Sequence, residues 1–519
     1  MTLSSKDIPC AVGDSSLESI ANIETTGRVK GAIWTSCSPD FGAKGMIERF
    51  SQINPKVLFV VNYYFYNGKK INVIERIPQI LKEIKSIKYV IVVDYPGSDV
   101  LKEKISLQNV KVYKWNKLIK VNKIRYPNFN FEHPLAILYS SGTTGKPKCI
   151  CHRTGGVLLQ HKKEHLLHCD IKENDNVFYF TTCGWMMWNW LVSVLASKAS
   201  IVLFDGSPTY KKVDLLLQIA EEEKITLFGV SAKYIDTLRK LKPLIKYKYK
   251  LARLKTICST GSPLSKEGFE YIYKNIKKSV HLSSISGGTD IVSCFVLGNL
   301  YEPVNLGQIQ NKGLGMDVDI FDEDGKSIKS EKGELVCKNP FPSMPLKFWN
   351  DNNDAKFKKA YFKKFTNTWH HGDYAEKTKN GDFIIHGRSD TTLNPGGVRL
   401  GTAEIYSEVE KFKEIKEALV VGQNWNNDIR VILFVVLNLN YEFNKNLVKK
   451  IKMQIRNNAS PRHVPAKIIM VSDIPRTKNG KIVELAVKNI IEGSKIKNKE
   501  ALANPEVLEK FRNLEELNY

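Results

Sequence analysis

The 519-residue chain lacks any run of about 18 uninterrupted apolar residues, so no membrane-spanning helix is expected. Its opening, Met1-Thr2-Leu3-Ser4-Ser5-Lys6-Asp7, has no basic stretch followed by an apolar core, which argues against a secretory signal and for a cytoplasmic protein. Paired CxxC modules are missing too. The nine cysteines (Cys10, Cys37, Cys149, Cys151, Cys169, Cys183, Cys258, Cys294 and Cys337) are scattered and odd in number, so reduced thiols are expected rather than a disulfide framework. Cys149 and Cys151 have no second pair to complete a zinc site. His161, His165 and His168 share a face at helical spacing, but Lys162 stands where the H-E-x-x-H pattern needs Glu. The absence of internal repeats and low-complexity tracts excludes solenoids and propellers.

Acidic residues are too few to balance the basic ones: 54 against 78, for a net charge of +24. Such a field attracts polyanions and raises the possibility of a nucleic-acid partner. The lysines are spread along the whole chain, however, without a repeated basic and aromatic module. Solvated faces account for them, and small polyanionic substrates would benefit from the same field. Neither nucleic acid nor membrane is an expected partner. A 42% hydrophobic and 25% charged composition excludes wholesale disorder.

Short apolar runs carry the structural signal. Residues 56–61, 89–93, 135–138, 200–204 and 226–230 are rich in Val, Ile and Phe and predict buried strands, while 73–87 and 213–223 show the helical period. Their alternation implies an α/β architecture of parallel sheets layered with helices, with ligands at the carboxyl ends of strands. Near residue 388 the character shifts, and Gly387-Arg388-Ser389-Asp390 is followed by the polar Asn394-Pro395-Gly396-Gly397. We expect a large domain over 1–388 and a smaller one over 389–519, whose last residues, rich in Lys, Glu and Asn, read as an exposed tail.

The most informative string is Tyr139-Ser140-Ser141-Gly142-Thr143-Thr144-Gly145-Lys146-Pro147-Lys148, directly after an apolar strand. Gly142 and Gly145 let backbone N–H groups approach an anion, Ser140, Ser141, Thr143 and Thr144 add hydroxyl donors, and the lysines add charge. It is a phosphate loop of other than Walker type, because only two residues separate the glycines and Pro147 follows Lys146.

That string resembles the signature of the adenylate-forming enzymes, which include acyl-CoA synthetases, luciferases and peptide-synthetase adenylation domains. Further pieces occur in the family's order. Gly261-Ser262-Pro263 resembles its adenine-contacting turn, and Ser286-Gly287-Gly288-Thr289-Asp290 the segment whose Thr meets the α-phosphate and whose acid serves Mg2+. The family usually has Glu at that acid, so Asp290 keeps the carboxylate with a shorter reach. His371-Gly372-Asp373 is similar to the ribose-binding turn. The resemblance implies that Arg388 contacts the nucleotide and that Asp390 is the pivot of a mobile α+β lid. Pro475-Arg476-Thr477-Lys478-Asn479-Gly480-Lys481 resembles the terminal motif whose last Lys enters the site during adenylation. A mobile ammonium suits a step in which carboxylate meets phosphate.

The implied reaction joins a carboxylic acid to coenzyme A through an acyl-adenylate, at the expense of ATP with Mg2+. Gly31-Ala32-Ile33-Trp34, Gly184-Trp185-Met186-Met187-Trp188-Asn189 and Asp205-Gly206-Ser207-Pro208 resemble the branch that takes acetoacetate. Relatives that take acetate place a pocket-closing Trp at the position of Gly287, so a longer acyl cavity is expected, walled by Trp185, Met186 and Met187, although methionines also serve as core filler. Gly396, Gly397, Arg399 and Arg456 match positions that line the coenzyme A path in relatives. The family's opening segment has only thirty poorly matching residues before Gly31 to represent it, so an exposed sheet edge and lowered stability are expected. On the residues alone an acetyl- or propionyl-CoA synthetase, a non-catalytic nucleotide-binding remnant and a nucleic-acid binder stay open.

Overall fold

The computed structural model describes residues 9–13, 31–39, 41–95, 110–118, 127–140, 147–393, 395, 400–426, 428–478, 480–494 and 499–518. The apolar runs form two sheets. The larger has eight strands in the order Lys347–Phe348, Cys149–Arg153, Pro134–Tyr139, Ile33–Cys37, Pro9–Gly13, Val57–Val61, Tyr89–Val93 and Lys111–Lys114. The second has five parallel strands in the order Ser200–Val202, Asn176–Tyr179, Leu227–Ser231, Thr256–Thr260 and His281–Ser284. Val57–Val61 is buried at every position, as a parallel strand covered on both faces must be, which is why it reads as an unbroken apolar run. One apolar layer, including Trp34, Val57, Ala136, Val177, Trp188 and Leu227, joins the two sheets.

Several expectations shift in detail. The run 73–87 becomes a 3-10 turn, Ile74–Arg76, leading into the helix Ile77–Glu83, because Pro78 needs no N–H partner only in a first turn. The strand expected over 200–204 ends at Val202. Pro9–Gly13, in the opening thirty residues, pairs in parallel with both Ile33–Cys37 and Val57–Val61 and so fills the place between them.

A four-stranded antiparallel sheet (Val318–Phe321, Lys332–Cys337, Trp369–Lys377, Phe383–Arg388) closes the large part of the molecule. Beyond it lies a separate α+β unit built on Ile415–Trp425, Asp428–Leu437 and Lys467–Met470. The middle residues of its first two strands alternate between two faces. Leu419, Val421, Ile432 and Phe434 enter one core while Ala418, Val420, Val431 and Leu433 enter another on the opposite face. The C-terminal residues are not an exposed tail. Val507, Leu508, Phe511 and Leu517 complete the first of these cores, with Phe511 edge-on to Phe434 at 4.9 Å. Its Lys and Glu residues point outward around a short apolar stripe that composition alone hides.

Candidate active site

Three strands of the parallel sheet deliver candidate residues from their carboxyl ends. Asn176–Tyr179 leads to Trp185 and the helix Met186–Ser193, Thr256–Thr260 runs into Gly261, and His281–Ser284 into Gly287, Gly288, Thr289 and Asp290. Parallel neighbours end on one side of a sheet, so residues far apart in sequence meet there. Gly261 adopts φ +94°, where a Cβ would be strained, and Ser262 and Pro263 beside it are exposed.

Ser140 follows Pro134–Tyr139 in the other sheet, and its N–H donates to the Lys148 carbonyl at 3.3 Å, closing the base of the phosphate loop. Its hydroxyl is buried without a hydrogen-bond partner among the described residues, leaving a donor for a ligand to satisfy. Ser141, Gly142, Thr143, Thr144, Gly145 and Lys146 lie outside the described residues, as do Gly396, Gly397 and Arg399.

Asp290 accepts a hydrogen bond from the Tyr361 hydroxyl and pairs with Lys148 at 3.4 Å. Both contacts fall on Oδ1, and among the described residues Oδ2 takes no hydrogen bond. Burial alone would raise the pKa of this carboxyl; Lys148, His371, the Tyr361 bond and Arg388 outweigh it and hold the group at about 2. It is therefore anionic at neutral pH. Tyr361 ends the helix Ala355–Tyr361 and is fixed by face-to-face stacking on Trp369, with ring centroids 3.8 Å apart.

Asp373 and Arg388 pair across the antiparallel strands Trp369–Lys377 and Phe383–Arg388. The guanidinium donates to Asp373 Oδ1 at 2.9 Å and to the His371 carbonyl at 3.1 Å, and its Nε lies 3.7 Å from Asp390. Gly372 between them has φ +82°, and a Cβ there would come within 2.7 Å of the guanidinium. Gly288 packs against the His371 ring, bringing the Thr289-Asp290 segment onto this strand.

Lys481 completes the arrangement from the other unit. Burial lowers its pKa, Asp373 and Asp290 oppose the shift, and Arg388 adds to it, so this ammonium lies within electrostatic reach of all three. Water still reaches the side chain, so it is not packed into a core. The basic tip at 481 and the acidic residues of the large unit, more than a hundred residues away in sequence, converge on one region.

The sequence patterns of two families match the chain: AMP-binding enzyme over residues 30–344, and AMP-binding enzyme C-terminal domain over 404–481. An acetoacetyl-coenzyme A synthetase from Rhizobium meliloti is 52% identical over 500 residues, covering 96% of this chain and 76% of the relative. The chain belongs to the acetoacetyl-CoA synthetase family of AMP-binding enzymes. The Gallus gallus acetoacetyl-CoA synthetase is 46% identical, over 94% of this chain and 74% of its own. The solved acetoacetyl-CoA synthetase from Streptomyces lividans superposes with a TM-score of 0.92 at 36% identity, covering 99% of this chain and 78% of that one. The fold is thus that of the adenylate-forming enzymes, a large N-terminal and a small C-terminal domain.

The remaining candidate residues sit in varied surroundings. Met186 and Met187 are buried in the layer joining the two sheets, beside Tyr179, Trp190 and Cys294, and Trp185 packs on its rim. A Cβ on Gly287 would run into the Ser293 carbonyl oxygen and come within 2.6 Å of the Cys294 Cα, so this glycine is required by close strand approach as well as by any effect on a pocket. Arg456 stands exposed in the last turn of Lys445–Asn458 and makes no hydrogen bond or ion pair among the described residues. His161 and His168 bond to the Val292 and Gly298 carbonyls at 2.5 and 2.8 Å. Burial holds the Cys149 thiol at about 12, well away from thiolate chemistry.

Sequence reasoning missed Tyr361, because Ala355–Tyr361 reads as an ordinary basic amphipathic helix with no motif around it. Lys148 was inside the quoted string but was not singled out. Its position two residues after Lys146, immediately before the strand Cys149–Arg153, is the signal that could have marked it.

Proposed function

We propose that the enzyme joins acetoacetate to coenzyme A in two steps within one site. The acid's carboxylate attacks the α-phosphorus of ATP, the bond to pyrophosphate breaks, and acetoacetyl-adenylate remains. The coenzyme A thiol then attacks the acyl carbonyl, the mixed anhydride opens, and AMP leaves. The observation that carries this reading is that Lys481, Arg388, Asp373 and Asp290 come within electrostatic reach of one another.

In this reading Lys481 and Arg388 offset the charge of carboxylate and phosphate as they approach, and Thr289 donates to the α-phosphate. Asp373 takes the ribose hydroxyls while keeping Arg388 in place, and the loop from Ser140 to Lys146 cradles the remaining phosphates. Gly261, Ser262, Pro263 and Gly288 frame the base and α-phosphate. Asp290 suits Mg2+: it is held ionised, with one oxygen clear of hydrogen bonds, and this cation takes one or two carboxylates plus substrate phosphates. When bound, the cation would neutralise phosphate charge. Trp185, Met186, Met187 and Gly287 form the acyl wall, and Gly396, Gly397, Arg399 and Arg456 the coenzyme A path. We set the domain boundary at 388/389, with Asp390 as the pivot that carries Lys481 out once the adenylate has formed. A cytoplasmic location belongs to the same reading, supported by nine scattered cysteines without a paired framework, a usage that suits a reducing compartment.

ATP–pyrophosphate exchange across acetoacetate, acetate, propionate and butyrate tests the substrate. Exchange fastest with acetoacetate is expected. Fastest exchange with acetate or propionate would replace this reading by that of a different short-chain ligase, and no exchange with any acid would favour a nucleotide-binding remnant.

A further inference from the structure

Glu417 sits where the lid, the large domain and the Lys481 loop meet. It occupies the start of the strand Ile415–Trp425, at a register shift against Asp428–Leu437 that turns its side chain out of the ordinary alternation. One carboxylate oxygen lies 3.1 Å from Lys233 Nζ, in the first turn of the large-domain helix Ala232–Leu241. The other lies 2.6 Å from Arg476 Nη2. Arg476 Nη1 in turn donates to the Gly480 carbonyl at 3.1 Å, the peptide that joins Gly480 to Lys481.

The loop itself is a tight turn. Thr477 N–H donates to the Lys481 carbonyl at 2.8 Å, Lys481 N–H donates to Thr477 Oγ1 at 3.1 Å, and Gly480 takes φ +77°. Lys478 adds a contact with the large domain, its ammonium 4.6 Å from the Phe41 ring centroid. Other ion pairs tie the domains together, among them Lys44 with Glu500 at 2.5 Å and Lys411 with Glu267 at 3.7 Å, but neither is bonded to the loop. Glu417 and Arg476 are only 12% and 18% exposed, so their pair is less screened than a surface bridge.

We propose that Glu417 is a positioning residue for adenylation: it locks the lid to the large domain through Lys233 and, through Arg476, fixes the turn that presents Lys481. The inference rests on the reading of Lys481 given above. The Arg476 contact lies within the lid and travels with it, whereas the Lys233 contact must break when the lid turns for thioester formation. Lys233 therefore biases the lid toward the adenylating stance, and Arg476 sets the aim of the ammonium within it.

The test compares Glu417→Gln, Lys233→Gln, the double variant and Lys481→Ala in the full chain. ATP–pyrophosphate exchange with acetoacetate reports adenylation, and thioester formation from supplied acyl-adenylate reports the second step. Exchange is expected to fall about ten-fold in Lys233→Gln and further in Glu417→Gln, with the double variant no worse than Glu417→Gln because the two residues share one interaction. Thioester formation should stay within about two-fold of the parent. Equal losses in both steps, or unchanged exchange in Glu417→Gln, would overturn the proposal. Lys233 is 44% exposed, so its variant keeps the test open should Glu417→Gln fail to fold. Lys481→Ala separates the two readings: if it fails to spare the second step, the role of Lys481 falls, and if it spares that step while Glu417→Gln does not, only the present inference falls.

Discussion

Arg388 donates to Asp373 at 2.9 Å across two antiparallel strands, so the residue proposed to hold ribose also fixes the one proposed to meet phosphate. Asp373 is buried and Arg388 is half exposed. Asp373→Asn keeps the shape but loses the charge that orients the guanidinium. Binding of a non-hydrolysable ATP analogue, measured by calorimetry, is expected to weaken about ten-fold or more, as for loss of a charge-assisted hydrogen bond. Unchanged affinity would separate this pair from the nucleotide.

Glu484 should make the stability of the C-terminal domain depend on pH. Burial raises its carboxyl to about 7 from an ordinary 4.5, with Asp390 adding to the rise and the Tyr406 hydroxyl, at 3.1 Å, and Arg476 opposing it. A carboxyl whose folded pKa is raised binds protons more tightly in the native state, so its contribution is full below pH 4.5 and is lost as pH climbs through 7. Glu484→Gln removes that loss. The variant should melt close to the parent near pH 4.5 and above it by pH 8, a gain of at most roughly 3 kcal/mol. Parallel melting curves across this range would show that Glu484 does not titrate there.

Gly287 tests whether the proposed acyl pocket can be shortened by one exchange. Because its Cβ position is taken by the Ser293–Cys294 backbone, Gly287→Ala should already destabilise the protein by about 1–3 kcal/mol. Gly287→Trp should lose stability without becoming a clean acetate enzyme. A well-folded Gly287→Trp variant with high acetate-dependent exchange would mean that the strand moves aside readily.

Phe511 is wholly buried against Phe434. Phe511→Ala should lower the stability of the C-terminal domain by about 3–5 kcal/mol, read from denaturant melts, although the residue lies eight positions from the end of the chain. A shift below 1 kcal/mol would return these residues to the status of a loose tail.

Much of this protein is legible in short stretches. Unbroken apolar runs such as Val57–Val61 announce strands buried on both faces, and strings such as Ser286-Gly287-Gly288-Thr289-Asp290 gather residues proposed for the site in adjacent positions, because strand burial and anion cradles are set over a few consecutive positions. The polar composition of the final residues misled for the same reason, since a helical stripe of Val507, Leu508 and Phe511 reveals its burial only against a partner sheet.

The sequence alone therefore determined the kind of fold, the order of its motifs and the branch of enzymes they resemble. Tertiary structure decided which groups meet: that Tyr361 reaches Asp290 from a helix without a motif, that Glu417 lies between Lys233 and Arg476, and that Lys481 feels Asp373 and Asp290. Such meetings depend on how sheets and domains pack across long separations, and an ion pair or hydrogen bond leaves no periodic trace along the chain, because its strength depends on distance in space rather than on spacing in sequence.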